Sequence, residues 1–250
     1  MAASFSFDLA AYHRDGYFSP VTILDELDTR DHRRRLEDIE RTTGSQHYAV
    51  KPHLISTSAA EIIRNDALLD AVEALLGTDI MAWDSAYVIK EPGTTGHVTW
   101  HQDLTYWGLE SEQLVTAWVA LSPATPESGC MRMLPGSQLG GRREHRDTYG
   151  SDNILHRGQE VDADIDESVV EYLALRPGQA SLHHGWVMHA SAPNTSADRR
   201  IGLTIQYTVP SNRQRVAEWD SATLVRGIDT YGHFRNVPCP TRDMDPDLVA

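Results

Sequence analysis

The stretch Trp100-His101-Gln102-Asp103 places a histidine and a carboxylate two residues apart. On an extended strand, residues i and i+2 point to the same face, so both side chains are expected to project side by side. They would supply two of the three ligands of a facial triad, in which two histidines and one carboxylate hold Fe(II). His-x-Asp is a short pattern that also occurs by chance, so this interpretation depends on the rest of the chain.

Composition limits the classes of protein that the chain can represent. The chain has 250 residues, 40% of them apolar, and a formal net charge of -14. This length suits one domain over residues 1–250, and the negative charge disfavours binding to nucleic acid or to anionic membranes. Two cysteines, Cys130 and Cys239, predict a reduced, cytoplasmic protein. Met1 to Leu9 lack a basic start and an apolar run, so we expect no secretory signal.

Hydrophobic periodicity divides the chain into a helical first part and a β-rich remainder. Helical spacing predicts helices within about residues 6–77, namely 6–15, 24–42 and 57–76, with Ser58 as the cap of the last. From Asp79 the period is two, and the predicted strands are 79–89, 98–103, 115–121, 129–134, 169–175, 180–184 and 200–209. Short strands separated by Gly/Pro turns predict a mainly β jelly roll over about 79–210 with flanking helices, and a tail, 211–250, packed outside.

The same alternation assigns faces to the first long strand. Ser85 and Tyr87 share one face with Trp83 and Ile89, and we expect that face to line the pocket and to contact co-substrate or substrate. The polar stretch 138–166 has little periodicity and is predicted to be a loop or lid near the pocket mouth. Its basic cluster, 142–146, is interpreted as a solvated loop, with contact to an anionic group of the substrate as the alternative.

The third metal ligand has three candidates, His183, His184 and His189. Adjacent residues of a strand point to opposite faces, so His183 and His184 cannot both face the metal. Spacing alone does not choose among the three.

Several motifs together resemble the phytanoyl-CoA dioxygenase family. They cover about residues 8–210 and read Tyr12-x-x-Asp15-Gly16-Tyr17, His101-x-Asp103, Ser128-Gly129-Cys130-Met131-Arg132-Met133-Leu134-Pro135-Gly136-Ser137, His189-x-Ser191-x-Pro193-Asn194-x-Ser196 and Arg200. The resemblance implies a double-stranded β-helix, a cupin-like variant of the jelly roll, and an oxygenase that uses Fe(II), 2-oxoglutarate and O₂.

The resemblance also implies roles for individual residues. It makes His189 the distal iron ligand beside His101 and Asp103, and Arg200 the anchor of 2-oxoglutarate. A planar guanidinium suits the two parallel hydrogen bonds of a carboxylate, and Ser191 is a candidate for a further hydroxyl donor. Trp118 lies near the position of a pocket aromatic of the family, with plain core packing as the alternative. Strand alternation gives Arg199 the opposite face from Arg200.

The implied reaction is hydroxylation of an unactivated C–H bond of a small molecule, with release of succinate and CO₂. Related halogenases carry Ala or Gly where this chain has Asp103, so the carboxylate favours hydroxylation. Desaturation, epimerisation and cyclisation begin with the same hydrogen abstraction and stay open. The rival classes are a non-catalytic ligand-binding barrel and a metal cupin that acts as an isomerase or hydrolase. The intact triad and Arg200 disfavour the first rival, and Arg200 disfavours the second, which needs no anchor for 2-oxoglutarate.

Overall fold

The computed structural model describes residues 7–245, so position 6 of the predicted first helix and Pro246 of the tail lie outside the described residues. The helices are α1 (Leu9–Asp15), α2 (Glu26–Thr43), α3 (Thr57–Ile62), α4 (Asp66–Leu76) and α5 (Leu104–Trp107). Within residues 7–245, none of these helices has both the length and the apolar character that a bilayer span requires.

The long helix predicted over 57–76 is two helices. Asn65 separates α3 from α4 because its side chain accepts a hydrogen bond from Leu68 N and so caps α4. The predicted cap Ser58 is also wrong, since Ser56 caps α3. Ser58 lies inside the helix, where its hydroxyl bonds His32 Nδ1 at 2.8 Å.

The strands form two facing sheets, antiparallel except for the last pair of the larger one, and one small hairpin. In chain order they are β1 (Tyr17–Thr22), β2 (Ile80–Lys90), β3 (Val98–His101), β4 (Leu114–Ala120), β5 (Met131–Met133), β6 (His145–Asp147), β7 (Gln159–Val161), β8 (Glu171–Leu173), β9 (Gln179–His184), β10 (His189–Ser191), β11 (Arg200–Thr208), β12 (Ser221–Arg226) and β13 (Arg235–Asn236). The large sheet has the order β1-β9-β4-β11-β2-β12-β13, and the smaller one β3-β10-β5-β8. The predicted jelly roll is confirmed.

The two faces of the large sheet have different surroundings. Its outer face packs against the helices in one core that includes Leu36, Ile62, Leu68, Tyr87 and Leu203. Its inner face meets the smaller sheet across a cavity to which both sheets contribute side chains. The tail is not only external packing, since β12 pairs with β2 and extends the large sheet.

Candidate metal centre and co-substrate site

Three side chains of the predicted triad meet at one side of the cavity. His101 ends β3 and His189 begins β10, and the two residues are direct cross-strand partners. Asp103 Oδ1 lies 3.4 Å from His101 Nε2 and 3.7 Å from His189 Nε2. All three donor atoms lie within 4.8 Å of one another, which is close enough to share one ion.

Asp103 reaches this position by a different geometry from the predicted one. The strand ends at His101, and Asp103 has helical dihedrals (φ -61°, ψ -51°) at the start of α5. The chain therefore turns after His101, and the turn, rather than the strand alternation, brings the carboxylate beside the imidazole. The expectation that both residues lie on one extended strand was wrong, although their proximity was predicted correctly.

The ring orientation of both histidines suits metal binding. Nδ1 of His101 lies 2.9 Å from the Thr99 carbonyl oxygen, and Nδ1 of His189 lies 3.2 Å from that of Val187. A carbonyl only accepts, so each Nδ1 carries the proton and each Nε2 presents its lone pair. Burial, followed by the neighbouring His101, lowers the pKa of His189 to about 3, which keeps that ring neutral.

The second carboxylate oxygen of Asp103, Oδ2, is held by two neighbouring side chains. Thr116 Oγ1 donates to Asp103 Oδ2 at 3.0 Å, and His183 Nε2 lies 3.2 Å from the same atom. Burial by itself would raise the pKa of Asp103, but the three surrounding histidines, His189, His101 and His183, hold it well below its ordinary value. The carboxylate is therefore ionised and oriented with Oδ1 toward the two imidazoles.

These contacts also decide among the three histidine candidates. His183 supports the carboxylate, and His184 accepts a hydrogen bond from Trp186 N at 3.1 Å, away from the centre. Two neutral imidazole nitrogens and one carboxylate oxygen on one side of a cavity are the donor set that suits non-haem Fe(II).

Arg200 contributes a buried cation to the same cavity. Its side chain is 1% exposed, and Nη1 donates to the Gly129 carbonyl oxygen at 2.9 Å. Nε and Nη2 have no hydrogen-bond partner among residues 7–245, and the guanidinium carbon lies 5.1 Å from the centre of the Trp118 ring. Burial lowers the pKa of Arg200 to about 10. A buried guanidinium group with two unpaired N–H donor atoms matches the geometry of a carboxylate.

Lys90, which sequence reasoning missed, lies beside Arg200 as its partner in the β2–β11 register. Its Nζ donates to Ser191 Oγ at 2.7 Å and to the Ser191 carbonyl oxygen at 3.2 Å. Burial, followed by the charge of Arg200, lowers the pKa of Lys90 to about 6. The signal in the sequence was a charged residue at the end of an otherwise apolar run.

The cavity encloses about 220 Å³ and includes Trp118 and Ser191 in its lining. Ser85 and Tyr87 are not part of it, which corrects the predicted face of β2. Ser85 Oγ bonds His53 Nδ1 at 2.6 Å, and Tyr87 packs in the core under the helices. Residues on the opposite face of β2 line the cavity instead, namely Asp84, Ala86 and Val88.

Tyr48 also lines the cavity and carried no signal in the sequence, because it lies outside the regular elements. Its backbone has a left-handed φ of 55°, a conformation that non-glycine residues rarely adopt.

The stretch predicted as a loop or lid contains the hairpin β6–β7, and Leu155 and Gln159 from this stretch line the cavity. Gln102, between the two ligands, fastens this stretch to the metal centre. Its Nε2 donates to the Gly141 carbonyl oxygen at 2.8 Å, and its Oε1 accepts from Arg143 N at 2.7 Å. The arginines of the basic cluster are exposed, in agreement with a solvated loop, and Arg142 and Arg143 line an outer recess.

The family model described as phytanoyl-CoA dioxygenase (PhyH) matches residues 11–202. The chain belongs to this family. Membership confirms the expected enzyme class, an oxygenase that depends on Fe(II) and 2-oxoglutarate.

Individual relatives agree with this assignment. The chain is 27% identical over 228 residues to the L-proline trans-4-hydroxylase of Streptomyces griseoviridis, covering 80% of this chain and 85% of the relative. It is 29% identical over 198 residues to a probable alpha-ketoglutarate-dependent hypophosphite dioxygenase of Stutzerimonas stutzeri, covering 78% of this chain and 65% of the relative. A solved structure of the non-heme monooxygenase ThoJ superposes with a TM-score of 0.83 at 32% identity, covering 96% of this chain and 91% of that one.

Proposed function

We propose that His101, Asp103 and His189 bind Fe(II), and that Arg200 binds the distal carboxylate of 2-oxoglutarate. The observation that carries the proposal is the buried guanidinium of Arg200, whose Nε and Nη2 lack partners among the described residues, in the same cavity as the triad. Ser191 and Lys90 form the polar wall beside Arg200, and the Trp118 ring supports the guanidinium.

When bound, Fe(II) and 2-oxoglutarate supply the activation of O₂ and the abstraction of hydrogen from carbon. The residues of the chain bind, orient and shield these groups. Thr116 and His183 fix the rotamer of Asp103, and the Thr99 and Val187 carbonyls fix the tautomers of the two imidazoles. The surrounding sheets exclude water, which strengthens the pairing of Arg200 with a carboxylate.

The reaction that we propose is hydroxylation of an unactivated C–H bond of a small molecule, with succinate and CO₂ as co-products. The carboxylate of Asp103 occupies the position that a halide would need. The printed names of two relatives, a proline hydroxylase and a hypophosphite dioxygenase, agree with a small-molecule substrate. The net charge of -14 disfavours a nucleic-acid or anionic-membrane partner. Free thiols at Cys130 and Cys239 agree with a cytoplasmic protein. We further propose that residues 1–250 form one domain.

The test is succinate formation from 2-oxoglutarate with Fe(II), ascorbate and a panel of small molecules. Wild type should form succinate and a product that has gained one oxygen atom, and Arg200→Met should lose both activities. Arg146→Met is the matched control, because Arg146 pairs with Glu160 on the surface. Equal succinate formation by wild type and Arg200→Met would refute the anchor. A product that has lost two hydrogen atoms would identify desaturation instead.

A further inference from the structure

Asp84 is a second carboxylate on the inner face of the large sheet. It lies on β2 opposite Gln206 of β11, and Gln206 in turn lies opposite Thr116 of β4. Thr116 is the partner of His183 on β9. The four residues therefore form one row across four strands, and all four line the metal cavity.

The row fixes the place of Asp84 relative to the metal ligands. Thr116 Oγ1 bonds Asp103, and neighbouring strands lie about 4.8 Å apart, so Asp84 lies about 10 Å across the sheet from this contact. Along β11, Arg200 lies six residues from Gln206, a backbone distance of about 20 Å. Asp84 is therefore at the end of the cavity away from the 2-oxoglutarate anchor, where a substrate would lie.

The protein compensates the charge of Asp84 only in part. Its Oδ1 accepts a hydrogen bond from Ser85 N at 2.8 Å, and no cation within ion-pair distance faces it in the part of the chain that the structure describes. The charge of Lys51 acts on Asp84 without forming an ion pair with it, because Lys51 Nζ is bonded to Asp220 and Ser221. Burial raises the pKa of Asp84 to about 6, which reflects the cost of keeping a charge there.

Aromatic side chains also line the cavity that contains this carboxylate. Tyr48, Tyr106 and Trp107 line the same cavity. Aromatic faces attract cations, so these side chains suit a protonated amine in the cavity. An anionic or purely apolar group would instead meet an uncompensated negative charge.

We propose that the substrate carries a protonated amine that binds the Asp84 carboxylate, while a carbon a few bonds away lies over the metal centre. This inference rests on the proposed function, since it assigns the substrate class of the same cavity. Asp84 is then a specificity-determining residue that contacts substrate and does not contact 2-oxoglutarate.

Binding is measured on the anaerobic protein loaded with Fe(II) and 2-oxoglutarate, through changes in its visible charge-transfer absorption. The probes are pyrrolidine and butylamine, each compared with its uncharged N-acetyl derivative. In wild type the amines should cause a saturable change and the N-acetyl derivatives should not. Asp84→Asn should weaken amine binding about tenfold or more, the effect of losing one charge-assisted hydrogen bond. Glu91→Gln, which removes a carboxylate paired with Arg199 outside the cavity, should bind the amines like wild type.

Three outcomes would overturn the inference: equal binding of amines and N-acetyl derivatives, no saturable change with the amines, or unchanged amine affinity in Asp84→Asn. A merely structural carboxylate would lower the melting temperature when replaced. The inference instead requires Asp84→Asn to melt at or above the wild-type temperature, because an unpaired buried charge is removed. Absence of the absorption band itself in wild type would refute the proposed function, whereas a band insensitive to amines would refute only the role of Asp84.

Discussion

Replacing Arg200 with Met should stabilise the protein without ligand and abolish its stabilisation by 2-oxoglutarate. The folded protein holds this guanidinium 1% exposed, and burial lowers its pKa from the ordinary value to about 10. At pH 7 the group is charged in the folded and the unfolded state. Its unfavourable contribution is therefore complete below pH 10 and diminishes only as the pH rises toward the unfolded value.

The magnitude follows from this shift. Moving the pKa from its ordinary value to about 10 corresponds to a cost of about 3 kcal/mol. Arg200→Met also removes the hydrogen bond to the Gly129 carbonyl oxygen, worth about 1 kcal/mol. The variant without ligand should therefore unfold with a free energy about 2 kcal/mol higher than wild type. Met fills much of the same volume beside Trp118, so no large cavity offsets this gain.

Urea unfolding at pH 7 under anaerobic conditions with Fe(II), with and without 2-oxoglutarate, measures both effects. At 100 times its dissociation constant, 2-oxoglutarate should stabilise wild type by about 2.7 kcal/mol. If the variant binds it about 100-fold more weakly, the same concentration adds only about 0.4 kcal/mol. Arg146→Met, with a side chain 62% exposed, should change neither quantity. A variant that is several kcal/mol less stable without ligand, or fully stabilised by 2-oxoglutarate, would refute the reasoning.

Five further substitutions test the remaining parts of the site. Asp103→Ala should lose bound iron, measured by metal analysis after desalting, and should form no succinate; retained turnover would contradict its role as a ligand. His183→Leu and Thr116→Val each remove one partner of Asp103 Oδ2 and should weaken iron binding about 10- to 100-fold in a chelator competition. Gln102→Ala should speed amide hydrogen exchange over residues 141–143, because two backbone groups there lose their hydrogen-bond partner. Unchanged exchange would contradict the role of Gln102 in holding this stretch. Ser85→Ala should leave the KM for 2-oxoglutarate unchanged, and a raised KM would restore the pocket face predicted from the sequence.

The error at Ser85 and Tyr87 has a physical origin in the burial of β2. Period-two alternation divides a strand into two sets of residues, and hydrophobicity chooses the inner set only when one face is solvated. Both faces of β2 are largely buried, one under the helices and one over the cavity. The more informative residue was Asp84, an acid in the middle of a strand that otherwise consists mainly of apolar residues.

The metal ligands could be found because their chemistry is concentrated in short motifs, whereas other parts of the site depend on tertiary structure. Asp103 comes close to His101 through a turn that a strand pattern does not predict. Lys90 becomes part of the site only through its register with Arg200 on a strand that follows more than one hundred residues later. Tyr48 lies in an irregular segment, and periodicity carries no information there.

The inner face of the large sheet therefore carries two charges of opposite sign, the buried Arg200 near one end of the cavity and the half-buried Asp84 near the other. Neither forms an ion pair within residues 7–245, and burial shifts the pKa of each toward its neutral form. Each charge destabilises the protein without ligands, and packing cannot remove that cost. Binding of a carboxylate at Arg200 and of an amine at Asp84 would offset both of these unfavourable contributions to stability. The metal centre adjoins the row of Asp84, two strands across the sheet, so one sheet would orient co-substrate and substrate toward the same ion by opposite charges.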